Sequence, residues 1–91
     1  MKNLEIKETT IKISQCDRIL KAMLENKQKN NWKASDFQSG EYFVGYEATA
    51  RMSDLIRLYP DKLIVGKEGR FRTLSLNWNN IDKDFIDSIG V

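Results

Sequence analysis

The stretch Lys62 to Trp78, KLIVGKEGRFRTLSLNW, constrains the fold of this chain more than any other. It holds two strand-like runs, Lys62 to Gly66 and Arg70 to Trp78, joined by Lys67-Glu68-Gly69, where Gly69 can take the positive φ that a tight hairpin needs. Within the second run Leu74, Leu76 and Trp78 share one face at a period of two, with Arg72 on that face nearer the tip. Such a face can pack on helices, so the expected class is α+β.

The helices are expected upstream. Pro60 stops one of them, because proline lacks an amide hydrogen and clashes with the preceding turn. The segment before it, about Tyr46 to Tyr59, presents Ala48, Met52, Leu55, Ile56 and Tyr59 as one apolar stripe. A first helix is predicted to start at Ser14, a good N-cap, with Cys16, Ile19, Leu20, Met23 and Leu24 facing inward, and to end near Asn26. Between the two, Trp32 reads as a minimal strand and Lys33 to Gln38 as a brief second helix with Phe37 turned to the core. Ser39 to Gly45 would link the second and third helices. Residues 79–91 offer a last helix capped by Asn79 or Asn80, with Ile81, Phe85, Ile86 and Ile89 apolar. Residues 1–13 form an N-terminal extension in which Thr10 to Ile13 carries a short strand signal.

A chain of 91 residues with 41% apolar and 31% charged residues suits one folded domain around a small core. Its net charge of +2 says little by itself, but the charges are unevenly placed. Residues 1–33 carry eight Lys/Arg against four acids and residues 46–76 carry six against four, whereas 34–45 and 77–91 are acidic. One cysteine cannot close an intrachain disulfide, and no apolar leader follows Met1, so a cytoplasmic location is expected. No apolar run approaches the roughly 18–20 residues needed to cross a bilayer.

The order helix, Trp32, helix, helix, hairpin resembles the winged helix-turn-helix family over residues 14–78. The resemblance is carried by WKASDF, YEATARMSDLIRLYP and KLIVGKEGRFRTLSL. It is similar in particular to the small winged-helix proteins of phages and mobile elements. That resemblance implies a transcriptional regulator that binds duplex DNA, with the third helix in the major groove and the hairpin, or wing, on backbone or minor groove.

On the third helix, with Met52 at the centre of the buried face, the far side holds Tyr46, Glu47, Ala50, Ser53, Asp54 and Arg57, with Arg51 on a flank. Tyr46, Ser53, Arg51 and Arg57 are candidates for phosphate or base contacts, since an arginine fork donates two parallel bonds and keeps its charge. Glu47 and Asp54 on the same side oppose a phosphate unless each accepts from a cytosine or pairs with an arginine. On the hairpin, Lys67, Arg70 and Arg72 flank Phe71 and form a basic tip, which Lys27, Lys29 and Lys33 could extend. A rival reading is a protein-interaction module that uses the aromatic pair Tyr42 and Phe43. The C-terminal helix either folds back on the core or pairs two copies as a homodimer.

No enzymatic activity, metal or cofactor is expected. The chain has no histidine, and Cys16 lies in the apolar register of the first helix, as a core thiol would. Nor does the chain carry a phosphate-binding glycine loop.

Overall fold

The computed structural model describes residues 15–89. The Thr10 to Ile13 strand signal and the Ser14 cap fall outside them. The described chain is α+β: four helices, two short 3-10 turns and one antiparallel hairpin. Helix α1 covers residues 15–25. It is followed by α2 (Ala34–Gln38), a 3-10 turn at Gly40–Tyr42 and α3 (Ala48–Leu58). Strands β1 (Leu63–Glu68) and β2 (Phe71–Leu76) make the hairpin, and a second 3-10 turn at Trp78–Asn80 leads into α4 (Lys83–Ile89).

The apolar stripes foreseen for α1 and α3 converge on one core. Cys16, Ile19, Leu20, Met23 and Leu24 of α1 meet Ala48, Met52 and Leu55 of α3, and Leu74 and Leu76 of β2 close it. Trp32 is the centre of the region before α2. It pairs with Leu74 through two backbone hydrogen bonds of 2.7 and 2.8 Å, so the single strand residue read from the sequence becomes a third position beside β2. Its ring stacks on Phe37 at 5.2 Å and takes the edge of Tyr42 at 5.0 Å.

Four boundaries differ from the sequence reading, each for a local reason. Helix α3 begins at Ala48, not Tyr46, and the link from α2 is residues 39–47. Tyr46 and Glu47 form a turn held by Gln38, whose side-chain amide donates to the Tyr46 carbonyl at 3.1 Å. The hairpin loop is Gly69-Arg70, not Lys67-Glu68-Gly69, because Glu68 still pairs with Phe71 and only Gly69, at φ 61°, needs the left-handed conformation. Trp78 has left the strand for the 3-10 turn and is half-buried there. The cap of α4 is Asp82, whose carboxylate accepts from the Phe85 amide at 2.8 Å, and not Asn79 or Asn80.

The last helix folds back. Phe85 and Ile89 are buried, and Phe85 meets Tyr59 edge-on at 5.3 Å. Around that contact the base of the hairpin is tied to the second 3-10 turn. Lys62 Nζ donates to the Asn80 carbonyl and Asn80 Nδ2 to the Asp61 carbonyl, each at 2.7 Å. No helix among the described residues is long and apolar enough to cross a membrane.

Candidate functional site

Arg72 is where the hairpin and α3 meet. Period two places it on the inner face of β2 with Leu74 and Leu76, one step nearer the tip, so its guanidinium reaches α3 rather than solvent alone. Nη1 donates to Ser53 Oγ at 3.1 Å, and that hydroxyl donates in turn to the Thr49 carbonyl at 3.3 Å. A groove of about 300 Å³ lies beside this contact, lined by Ala34, Thr49, Met52, Arg70, Phe71 and Arg72. Two of the cations read from the sequence therefore flank one cleft between helix and hairpin.

The third, Lys67, stands opposite Arg72 in the strand register and is exposed. Neither Lys67 nor Arg70 forms an ion pair among the described residues. The acid at the tip is compensated: Glu68 accepts Lys33 Nζ at 2.9 Å, and the same ammonium lies 5.8 Å from the Phe71 ring centre. Lys33 thus fastens the hairpin tip to the start of α2, leaving Phe71 60% exposed beside two arginines. Lys27 and Lys29 are turned onto the chain's own aromatic rings, over Trp78 at 5.6 Å and Trp32 at 4.9 Å, and Lys29 also faces Asp36 at 3.7 Å.

The remaining candidates separate. Arg57 is exposed and lies one helical turn beyond Ser53, on the same face, where it pairs with Asp54. Arg51 does not sit on an accessible flank. It is 7% exposed, with Nε 3.0 Å from Asp54 Oδ2, so its guanidinium is turned into the protein. The contact is one of charge, since the buried Nε–H finds no aligned acceptor among the described residues. Asp54 is thereby neutralised from both sides. Tyr46 is 82% exposed, yet in the turn before α3 and edge-on to Phe43 at 5.3 Å, so it belongs with the aromatic insert and not with the helix.

Thr49, Phe71 and Lys33 were missed or undervalued as parts of this surface. Thr49 lies at i−4 from Ser53, a spacing that does place both on one face, whereas the Lys33–Phe71 approach depends on tertiary contact that no local pattern reveals.

Among the groups packed in or against the core, Cys16 and Tyr59 have displaced titrations. Burial pushes the Cys16 thiol above its ordinary range, the Asp54 charge adds to that, and Cys16 Sγ donates weakly to the Arg51 carbonyl at 3.9 Å. Burial likewise raises Tyr59, with Asp17 contributing. Both shifts favour the neutral form and mark packing, not activation. Among the described residues no group of His, Cys, Asp or Glu could hold a metal ion. No protein-family model, curated protein or solved structure matches the chain.

Proposed function

We propose that this chain is a winged-helix domain that binds duplex DNA, with α3 toward the groove and the hairpin tip on phosphate. The observation that carries the reading is the Arg72–Ser53 hydrogen bond of 3.1 Å, which joins wing and helix into one surface with a shared groove. Lys67, Arg70 and Arg72 supply fixed positive charge at its rim, and phosphate contacts of that kind are the main source of affinity for DNA. The pairing of Asp54 with Arg51 and Arg57 removes the repulsion that a bare carboxylate on this helix would create. Arg57 remains exposed for base or backbone contact, while Ser53, whose proton goes to the Thr49 carbonyl, joins the surface by holding Arg72 and keeps only acceptor capacity. The likeness in element order to small phage winged-helix proteins supports a role in transcriptional regulation.

Binding to duplex DNA measured by fluorescence anisotropy across salt concentrations tests this. Log affinity should fall linearly with log salt, and Arg70→Ala should flatten the slope by about 0.9 while weakening all sequences alike. Arg57→Ala should instead alter the preference among sequences. A flat salt response, or no binding at low salt, would contradict DNA binding.

One observation favours a second reading. Phe43 and Tyr46 form an exposed aromatic pair beside a groove lined by Arg18, Lys21, Glu25 and Tyr42. A mixed-charge cleft with aromatic residues at its rim suits a protein partner, and that reading would stand if duplex DNA were not bound.

A further inference from the structure

Among the described residues, β1 has one satisfied edge and one open edge. Toward β2, its register runs unbroken from Leu63↔Leu76 to Glu68↔Phe71. The Asn77 amide donates to the Lys62 carbonyl at 2.8 Å, and Trp32 takes both backbone groups of Leu74 from the far side. Leu74 therefore turns its amide and carbonyl away from β1, and by the alternation of antiparallel ladders its partner Val65 turns its own the opposite way. Leu63 and Lys67 follow at period two. The outer edge of β1 thus presents the amides and carbonyls of Leu63, Val65 and Lys67, and no strand among the described residues receives them.

Edges of this kind are normally blunted by proline, a bulge or charge. β1 has neither proline nor bulge, and its charges sit at the tip, while its middle carries Ile64 and Val65, 52% and 50% exposed on opposite faces of the sheet. The apolar stripe of α4, the sequence's candidate for pairing two copies, has Phe85 and Ile89 buried in its own chain instead.

We infer that the chain forms a homodimer in which β1 pairs antiparallel with β1 of a second copy, about a two-fold axis through Val65. A two-fold through any residue of β1 sets open backbone groups against open backbone groups, but an axis through Ile64 leaves Lys67 without a strand partner and one through Gly66 leaves Leu63 without one. An axis through Lys67 opposes two like charges, and one through Leu63 leaves half the strand unpaired. The axis through Val65 uses every outward group of both edges. It sets Val65 against the partner's Val65, Ile64 against the partner's Gly66, where no side chain obstructs it, and Lys62 opposite the sign of the partner's Glu68.

The full chain should sediment at twice its 10.6 kDa mass. Val65→Pro removes an amide that β2 does not use, so it should return the protein to monomer with the hairpin retained. In cysteine variants, Val65→Cys places two Cα atoms about 5.5 Å apart, within disulfide reach, whereas Ile64→Cys, as exposed, leaves them roughly 8 Å apart. Oxidative cross-linking should favour Val65→Cys at least tenfold. A monomer at every concentration, a dimer that survives Val65→Pro, or equal cross-linking of the two variants would overturn the inference. The cysteine pair decides the matter even if Val65→Pro fails to fold.

Discussion

Arg51 and Arg57 share one carboxylate from opposite sides of the protein surface. Arg51 is part of the stripe that buries α3, and removing its side chain leaves a void and strips Asp54 of its inner partner. Arg51→Ala should therefore lower stability by about 2 kcal/mol. Arg57→Ala breaks only an exposed pair and should change stability by less than about 0.5 kcal/mol. Urea unfolding of both variants measures the difference, and a larger loss for Arg57→Ala would place the weight of the cluster on its outer side. Arg51 also shows how charge can mask a readable pattern. Ala48, Arg51, Met52 and Leu55 have the spacing of a buried face, but an arginine is assigned outward until its counter-charge, three residues on, is recognised. Cys16, at an apolar position of α1 and without such a conflict, was legible as core from spacing alone.

At the level of elements, the hairpin carries both stability and placement of the basic tip. A Cβ at Gly66 would lie 2.8 Å from Thr73 Oγ1, and Thr73 is itself buried, so it cannot swing aside. Gly66→Ala should cost about 1–2 kcal/mol, and most of that increment should vanish in a Thr73→Ala background. A double-mutant cycle by thermal unfolding checks it; an undiminished increment would mean that backbone freedom, not the close approach, sets the requirement. The hairpin, the stop at Pro60 and the Trp32 strand position were all legible, because each rests on a local rule. Boundaries that rest on competition between near-equal candidates were not. Asp82 lies two residues beyond Asn80 and is an equally good cap, and Tyr46-Glu47 carries no helix breaker.

Across the whole molecule, charge is arranged along the hairpin. Its tip carries Lys67, Arg70 and Arg72, while α4, with Asp84 and Asp87 and its cap Asp82, is tied to the base near Lys62 and Tyr59, about 20 Å away by the strand rise. A polyanion approaching the tip is thus kept clear of the acidic helix. Fold class was readable from pattern, but this surface was only half readable, since it joins α2, α3 and both strands through Lys33–Phe71 and Ser53–Arg72 contacts that exist only after folding. Mapping amide chemical shifts by NMR while duplex DNA is added tests the shared surface most directly. Changes should concentrate at residues 49–57 and 66–72 and leave 18–25 and 83–89 nearly still. Changes gathered instead around Phe43, Tyr46 and α1, or absent from α3 and the hairpin tip alike, would contradict it.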